Sequence, residues 1–492
     1  MLPSSLRAQN AESPVRKGGS LHADLCIIGA GSGGLSVAAG AVQMGASVVL
    51  IEKGAMGGDC LNSGCVPSKA LIAAAHVAHA ARSGRRFAVH ANNPTINFRE
   101  VHDHVHGVIG AIAPHDSVER FQGLGVHVIK AAGRFVDANT VEAGGERIVA
   151  RRFVIATGSR AAVPPIPGLS DTGYLTNESI FEITERPDHL IVVGGGPIGI
   201  EMAQSFRRLG SKVTVIEKFG ILAKDEPEAV DVVRASLQRD GVTVIEKVGV
   251  SEVRRNEAAV TVTLDGDSQV GRHVVGTHVL VAAGRRPNIE NLGLEATDSA
   301  ATPKGITVNA RLRTSNRKVF AIGDVAGGPQ FTHIAGYHAG IIIRNALFGL
   351  PAKVDYTALP WVTYADPELA HAGLTEADAR KAGHDVKILT WSFDMNDRAQ
   401  AERETDGLAK IVLDAKGRIL GATIVAPRAG ELIGTWALAI SARLKIGAIA
   451  NAVLPYPTLS EISKRAAGSY YTPKLFSAST RRIVGLVQRW LP

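Results

Sequence analysis

Two closely spaced cysteines, Cys60 and Cys65, are the side chains in the sequence best suited to redox chemistry. A disulfide needs Cα atoms within about 7 Å, whereas five residues of regular helix rise about 7.5 Å. The intervening loop must therefore tighten, and Gly64 supplies the freedom. We expect a helix to begin near Pro67, so that its dipole favours a thiolate at Cys65. A disulfide that closes so small a loop adds little stability to a chain of 492 residues, so a redox role is favoured. A metal site on the two thiols is the alternative.

Two copies of one glycine-rich pattern could position cofactors around this cysteine pair. Each copy reads G-x-G-x-x-G between a predicted strand and a predicted helix, with an acid 18 residues after the last glycine. The glycines let the backbone approach a pyrophosphate on a helix N-terminus, and the acid accepts hydrogen bonds from an adenosine ribose. The residues are Gly29, Gly31, Gly34 and Glu52 in the first copy and Gly194, Gly196, Gly199 and Glu217 in the second. The sequence therefore predicts two βαβ units that bind dinucleotides, rather than glycine turns without a ligand.

Apolar strands that end in a glycine turn recur further along the chain, at 153–159, 279–284 and 319–324. From about residue 353 the pattern changes to more separate elements. We expect strands there at 387–393, 409–413 and 419–425, and a helix from Gly430. The sequence therefore predicts an α/β fold with two Rossmann-like dinucleotide-binding domains and a C-terminal α+β domain.

The net charge of +8 lies in the two tails of the chain. Residues 1–20 carry a net charge of +2, and residues 462–492 contain no acid and carry +6, so the body is formally neutral. A neutral body argues against a nucleic-acid partner. Three cysteines and the lack of any apolar run of about 18 residues exclude a secreted disulfide framework and a membrane span. We expect a cytoplasmic protein whose first 20 residues are disordered.

Together these motifs resemble the class I pyridine nucleotide–disulfide oxidoreductases, a family of flavin-dependent enzymes, over nearly the whole chain. The segment from Gly57 through Lys69 is very close to that family's redox signature. The resemblance implies FAD on the first βαβ unit, NAD(P)H on the second, and a homodimer formed by a C-terminal dimerisation domain. The predicted domains are 21–165 for FAD, 166–286 for NAD(P), 287–352 for the return segment of the FAD domain, 353–470 for dimerisation, and a basic amphipathic tail at 471–492.

The same resemblance implies roles for individual side chains. Cys65 would donate charge to the flavin, and Cys60 would exchange with substrate. Lys69 would pair with Glu201 near the flavin N5, where hydride arrives. The FAD-binding residues that it implies are Gly29, Gly31, Gly34, Glu52, Lys53, Gly58, Lys69, Gly133, Gly158 and Asp324. The NAD(P)-binding residues that it implies are Gly194, Gly196, Gly199, Glu217 and Gly284.

The choice of nicotinamide cofactor depends on Glu217. A carboxylate at the end of the second βαβ strand favours a free 2′-hydroxyl and repels a 2′-phosphate. The neighbouring Lys218 could weaken the repulsion of a 2′-phosphate. We therefore expect NADH rather than NADPH.

The chain departs from the family near its C-terminus, where thiol–disulfide members carry a histidine and a glutamate that act as acid and base. Here these positions read Tyr456 and Glu461. A phenol with a pKa of about 10 is a poor general base at pH 7. Mercuric reductase also has a tyrosine there, and a second tyrosine in a segment that resembles 171–174. It delivers its metal through a further cysteine pair, however, and no cysteine follows Cys65 here.

These observations predict an FAD-dependent NAD(P)H oxidoreductase, similar to mercuric reductase, that passes electrons through Cys60 and Cys65 to a small acceptor. The acceptor would be a soft metal ion or a disulfide. By the family resemblance, Tyr456 and Glu461 would complete the active site of the partner subunit, although Tyr456 as a packing residue is an alternative. A dihydrolipoamide dehydrogenase is a second hypothesis. A flavin-binding redox sensor or membrane-partner subunit with little turnover is a third.

Two remaining features favour less specific interpretations. His102 and His106 are four residues apart in a helical stretch, but no third ligand is evident, so we predict no metal site and expect a solvated helix surface. The stretch 475–491 is amphipathic and basic. It could pack on the dimer, or it could contact a membrane surface or an acidic protein.

Overall fold

The computed structural model describes residues 13–90, 94–257, 259–266 and 271–491. Its first sheet is mostly parallel, and its path from edge to edge is His127–Ile129, Val48–Ile51, Ser20–Ile28, Glu146–Ile155, Thr140–Ala143 and Gly133–Asp137. Val319–Ala321 returns to pair in parallel with Glu146–Ile155. Because parallel strands end at the same edge of a sheet, residues 29, 158 and 324 converge there.

Alternate residues of the central strand Ser20–Ile28 pack on opposite faces of this sheet, as a pleated strand requires. Leu25 and Ile27 belong to the core on the side of the helix Ser32–Gln43. Cys26 and Ile28 belong to the core on the opposite face. Cys26 is fully buried, as is typical of an inert core thiol.

Part of the N-terminal segment predicted to be disordered is ordered. Val15–Lys17 forms a strand that pairs antiparallel with the start of Ser20–Ile28, and Gly18 and Gly19 turn the chain between them with φ values of +56° and +80°. The prediction of disorder was wrong for residues 13–20 because composition does not reveal pairing with the edge of an existing strand. Residues 1–12 lie outside the described residues.

The second sheet is parallel and leads into the second glycine-rich turn. Its path is Thr243–Glu246, Lys212–Glu217, His189–Val193 and His278–Val281. A smaller antiparallel sheet shares one core with it and comprises Val250–Asn256, Ala259–Leu264 and His273–Gly276. Short antiparallel pairs join Ser159–Ala161 to Arg285–Pro287, and Ala301–Thr302 to Gly305–Ile306.

The third sheet is antiparallel and confirms the predicted C-terminal α+β region. Its path is Pro360–Thr363, Glu368–Gly373, Ile419–Ala426, Leu408–Asp414 and Val386–Ser392. The helix Ala429–Ser441 packs on it through the fully buried Trp436, whose indole donates to Ser463 Oγ at 2.9 Å. The domain boundaries given above stay a prediction.

Helices cover the sheets and connect them. The described α-helices are Ser32–Gln43, Gly58–Asn62, Cys65–Ser83, Phe98–Ile112, Val118–Gly123, Pro197–Arg208, Pro227–Asp240, Thr332–Ala346, Glu376–Lys381, Asp397–Glu402, Ala429–Ser441, Gly447–Ala450, Glu461–Ser469, Thr472–Leu475 and Ala478–Val487. The 3₁₀ turns are Gly84–Phe87, Ala113–Asp116, Leu169–Thr172, Leu294–Thr297, Gly323–Ala326 and Phe393–Met395. Across the ranges that the structure describes, none of these helices has the length and apolarity needed to cross a membrane.

Candidate active site

The first glycine-rich turn leaves no room for side chains next to the predicted pyrophosphate. Gly29 has a φ of +106°, and a Cβ atom there would lie 2.4 Å from the carbonyl oxygen of Ala156. A Cβ atom at Gly34 would lie 1.9 Å from the carbonyl oxygen of Gly29. Gly31 is the N-cap of the helix Ser32–Gln43, so the free amides of that helix begin at the turn. The turn has the shape and the donors that a pyrophosphate needs.

The second glycine-rich turn repeats this geometry. Gly194 has a φ of +116°, and a Cβ atom there would lie 2.4 Å from the carbonyl oxygen of Ala282. A Cβ atom at Gly199 would lie 2.0 Å from the carbonyl oxygen of Gly194, and Gly196 is the N-cap of the helix Pro197–Arg208. The two turns are therefore equally suited to a dinucleotide.

Each turn holds its acid through the backbone. Glu52 Oε2 accepts a hydrogen bond from the Ala30 amide at 2.7 Å, and Glu217 Oε2 accepts one from the Gly195 amide at 2.6 Å. The other oxygen of each carboxylate accepts from the amide two residues further on, at 2.6 Å and 2.9 Å respectively. Both carboxylates are thus fixed at the ends of their strands, and each keeps lone pairs for a ribose hydroxyl.

One cleft of about 2870 Å³ joins the two turns and brings most of the predicted residues together. The predicted cofactor residues that line it are Gly29, Gly31, Glu52, Lys53, Gly58, Lys69, Gly133, Gly158, Asp324, Gly194, Gly196, Glu217 and Gly284. Cys60, Cys65 and Glu201 line the same cleft. Gly34 and Gly199 contact the backbone of their own turns instead. With both turns and this volume, the residues fit FAD and a nicotinamide dinucleotide.

The cysteine pair lies where the cleft meets a helix N-terminus. Cys65 is the first residue of the helix Cys65–Ser83, two residues earlier than predicted, and both cysteines are thiols in the structure. A hydrogen bond from Cys60 is the main reason that the pKa of Cys65 falls to about 6, with help from Thr332 and the charge of Lys69 and against burial. The same contact, together with burial, raises the pKa of Cys60. At neutral pH, Cys65 is therefore a thiolate and Cys60 a thiol.

Thr332 is a site residue that the sequence analysis missed. Its Oγ1 atom lies 3.4 Å from Cys65 Sγ, and it begins the helix Thr332–Ala346. The contact joins residues 267 positions apart, so no local sequence pattern indicates it. Its position shortly after the glycine turn that contains Asp324 was the available signal, because that turn brings the following helix to the cleft.

Lys69 and Glu201 pair as the family resemblance implied. Lys69 Nζ donates to Glu201 Oε2 at 2.8 Å, and the Glu201 side chain is only 5% exposed. The other Glu201 oxygen accepts a hydrogen bond from the Tyr364 amide at 3.0 Å. The centroid of the Tyr364 ring lies 4.2 Å from Lys69 Nζ. Tyr364, which the sequence analysis also missed, covers the ion pair from the antiparallel domain.

Asp324 lies in the cleft within a small polar network. It accepts a hydrogen bond from the Ser159 hydroxyl, and Arg285 Nε lies 3.6 Å from its Oδ2 atom. Arg285 also reaches Asp59 Oδ2 at 3.1 Å, beside the redox loop. Burial raises the pKa of Asp324, while Ser159 and Arg285 oppose that rise. Arg285 thus links the cofactor-side acid to the segment that carries Cys60.

The chain matches a known enzyme family along most of its length. Residues 23–339 match the family model of pyridine nucleotide-disulphide oxidoreductases, and residues 359–467 match the model of the dimerisation domain. The chain belongs to this family. It is therefore an FAD- and NAD(P)-dependent disulfide oxidoreductase, as the resemblance implied. The match to the dimerisation domain supports a homodimer.

Relatives and solved structures within the family agree with this assignment. The chain is 36% identical over 458 residues to the mercuric reductase of Streptomyces lividans, covering 91% of this chain and 96% of the relative. It is equally identical over 456 residues to the dihydrolipoyl dehydrogenase of Geobacillus stearothermophilus, with the same coverage. The HOCl-induced flavoprotein disulfide reductase RclA from Escherichia coli has a TM-score of 0.81 at 27% identity, covering 90% of this chain and 99% of that one. LpdA from Mycobacterium tuberculosis has a TM-score of 0.83 at 25% identity, covering 91% and 99%.

Tyr456 and Glu461 lie outside the cleft in the part of this family member that the structure describes. The Tyr456 side chain is 69% exposed, and its hydroxyl donates to Asp397 Oδ2 at 3.0 Å. Hydrogen bonding to that carboxylate raises the pKa of Tyr456. The Tyr456 ring is therefore not packed within its own subunit.

Proposed function

We propose that this family member is an NADH-dependent reductase that passes electrons through Cys65 and Cys60 to a soft metal ion, with Hg(II) as the first acceptor to test. The observation that carries the proposal is the pairing of a half-buried Cys60 thiol with a Cys65 thiolate, both open to the cleft. Thiolates prefer soft metals. Tyr456 in place of a histidine base disfavours thiol exchange, and the relatives named mercuric reductase support the same choice.

The proposed cycle balances as two half-reactions. FAD, which the first glycine-rich turn and Glu52 would hold, would supply hydride acceptance from NADH and delivery of the electron pair to the Cys60–Cys65 disulfide. The S–S bond breaks, two electrons enter the pair, and the one proton of the hydride ends on Cys60, which leaves Cys65 as the thiolate. Hg(II) then takes the two electrons and leaves as Hg(0), the S–S bond forms again, and the Cys60 proton is released to water.

The residues around Cys65 stabilise the negative charge that it carries in the reduced pair. Cys60 and Thr332 donate hydrogen bonds to its sulfur, and Lys69 adds a positive charge. Glu201 holds the ammonium of Lys69 in place through the 2.8 Å contact. The Thr332 hydroxyl and the Lys69 ammonium are not consumed when the disulfide forms, so both remain available when reduction produces the thiolate.

The same proposal assigns NADH as the electron donor. Both oxygens of Glu217 are held by backbone amides at the end of its strand, so the carboxylate cannot easily turn away from a 2′-phosphate. Lys218 and Lys224 also line the cleft. We expect these lysines to weaken the discrimination against NADPH without reversing the preference for NADH.

We further propose that Tyr456 and Glu461 act in the active site of the partner subunit. Tyr456 is exposed in its own chain, and its hydroxyl is oriented by Asp397. Glu461 begins the helix Glu461–Ser469 a few residues later. An oriented phenol can bind a metal ion or hold it near the thiols, and that role does not need a low pKa.

The C-terminal segment supports a docking role at an anionic membrane surface. The helix Ala478–Val487 buries no residue. The large apolar side chains exposed along this segment are Leu475, Phe476, Ile483, Val484, Leu486, Val487, Trp490 and Leu491. Arg481, Arg482 and Arg489 flank them without any nearby acid in the sequence. Apolar side chains and arginines close together along this short segment match the interface of an anionic bilayer. Sedimentation with anionic vesicles should remove the full chain from solution but not the 1–472 form, and equal behaviour would contradict this role.

Steady-state NADH oxidation with different acceptors tests the electron-transfer proposal. We expect turnover with Hg(II) in excess thiol, and much slower turnover with lipoamide or glutathione disulfide. Cys60→Ser and Cys65→Ser should abolish turnover with every acceptor. Flavin reduction without turnover on any of these acceptors would instead support the redox-sensor hypothesis.

Tyr456→His supplies a matched gain-of-function control. Restoring a histidine base beside Glu461 should raise lipoamide turnover by about 10²-fold or more, since a positioned general base contributes at least that much. Tyr456→Phe should leave lipoamide turnover at its low level. Rapid lipoamide turnover by the unaltered enzyme would favour a dihydrolipoamide dehydrogenase and refute the metal-ion proposal.

A further inference from the structure

Two histidines lie together on one face of the helix Phe98–Ile112. His102 and His106 are one helical turn apart, and their ring centroids are separated by 4.2 Å. The side chains are 18% and 34% exposed, so both are accessible without being fully solvated. Spacing of i and i+4 lets two imidazoles reach one metal ion. No third ligand for this pair is evident in the sequence near the two histidines.

The structure brings a third ligand from a distant part of the chain. Glu182 Oε2 lies 3.8 Å from His106 Nε2. One ligand atom each from His102, His106 and Glu182 all lie within 4.8 Å of one another. In addition, Asp103 Oδ1 lies 3.0 Å from His102 Nδ1, which resembles the carboxylates that orient zinc-bound imidazoles from the outer shell.

We propose that His102, His106 and Glu182 bind a divalent transition-metal ion such as Zn²⁺. Two imidazoles and one carboxylate are an established zinc donor set, which leaves the fourth position for water. With metal–ligand bonds of about 2.0–2.1 Å, donors in a tetrahedral site are about 3.4 Å apart. The donors must therefore close by up to about 1.4 Å. Glu182, whose side chain is 60% exposed, can supply most of that movement by rotating.

The position of this site connects it to the redox loop. Glu182 and its neighbour Phe181 line the cleft, and the Phe181 carbonyl lies 3.1 Å from His106 Nε2. In the same segment, Asn177 donates to Asp59 Oδ1 at 2.9 Å, next to Cys60. A metal ion at the three ligands would therefore hold the 177–182 segment against the helix, on the wall of the cleft beside the cysteine pair.

Equilibrium dialysis of Zn²⁺ against the FAD-loaded enzyme tests the site directly. The enzyme should carry Cys60→Ser and Cys65→Ser so that the thiols do not bind the probe. We expect one Zn²⁺ per chain, with affinity weakened at least about tenfold in His106→Ala and in Glu182→Gln, since even outer-shell changes cost 10- to 100-fold. His104→Ala is the matched control, because His104 is exposed on the same helix, and it should bind as the parent does.

Two further measurements test the metal site separately from protein folding and from the proposed electron-transfer reaction. Co²⁺ in place of Zn²⁺ should give visible absorption bands in the parent and the His104→Ala protein but not in His102→Ala. Zn²⁺ should slow amide exchange in residues 177–182 of the parent but not of His106→Ala. Equal affinity in the His104 and His106 variants, or binding of less than one ion per chain, would overturn the proposal and leave the assignment of the cysteine pair unaffected.

Discussion

The contact between Thr332 and Cys65 makes a quantitative prediction about the redox centre. Thr332→Val keeps the shape of the side chain but removes the hydroxyl that lies 3.4 Å from Cys65 Sγ. Thr332 begins a helix whose N-cap, Phe331, makes no side-chain hydrogen bond, so the substitution removes no capping interaction. The change should therefore act mainly on the cysteine pair, since Thr332 lowers the pKa of both Cys65 and Cys60.

The size of the effect follows from the other groups around the sulfur. A hydrogen bond to a charged group contributes about 1.5–3 kcal/mol, and 1.36 kcal/mol corresponds to a tenfold change in a proton equilibrium. Cys60 is the stronger donor to Cys65, and the Thr332 contact is long, so we take the lower limit. Thr332→Val should raise the pKa of Cys65 from about 6 to about 7. At pH 7 the thiolate fraction should then fall from about nine-tenths to about half.

The assay is a pH titration of the long-wavelength thiolate–flavin absorbance in the two-electron-reduced enzyme. Its midpoint should move up by about one pH unit in Thr332→Val and return to the parental value in Thr332→Ser, which keeps the hydroxyl. The rate of Cys65 alkylation against pH provides a second measure of the same equilibrium. An unchanged midpoint in Thr332→Val, or an equal shift in both variants, would refute the proposed role of Thr332. Persistence of the absorbance in Cys65→Ser would refute the assignment of Cys65 itself.

Three further predictions concern charged groups of the cleft. Lys69→Met should destabilise the protein by about 3 kcal/mol in denaturant titration because it leaves the buried Glu201 carboxylate without its cation; adding Glu201→Gln should recover most of that loss. Glu217→Gln should lower the KM for NADPH about tenfold, equivalent to about 1.4 kcal/mol, with a smaller change for NADH; an unchanged ratio of the two KM values would contradict the proposed cofactor choice. Burial raises the pKa of Asp225 to about 6, above its unfolded value of about 3.9, so its favourable contribution is complete below pH 4 and is lost as the pH rises through 6. Asp225→Asn should therefore be about 3 kcal/mol more stable than the parent at pH 8 and nearly equal to it at pH 4, and a gain that does not depend on pH would exclude this cause.

Much of the fold could be predicted because its signals are local. A strand, a glycine turn, a helix and an acid lie within about thirty residues, and each copy of that unit carries its own pattern. The same is true of Cys60 and Cys65, where a short spacing and a following helix indicate redox chemistry. Element bounds were less certain: the helix predicted from Pro67 begins at Cys65.

Contacts between distant segments could not be predicted because no local sequence pattern indicates them. Thr332 reaches Cys65 only after the return strand Val319–Ala321 has joined the first sheet. Glu182 reaches His106 only because its segment lies on the wall of the cleft. The sequence-based expectation of no metal site at these histidines considered only their own helix, which does not contain Glu182.

The sequence by itself determined the family, the two glycine-rich turns proposed to bind the cofactors and the cysteine pair proposed to be redox-active, because backbone conformation at a glycine turn and the proximity of two cysteines are decided within a few residues. Only the tertiary structure decided the charge state of that pair. The pKa of Cys65 depends on Cys60, on Thr332 from another helix and on Lys69, whose partner Glu201 belongs to the second dinucleotide unit. Electrostatic interactions depend on distance in space rather than along the chain, so the reactivity of the cysteines is a property of the folded domains together.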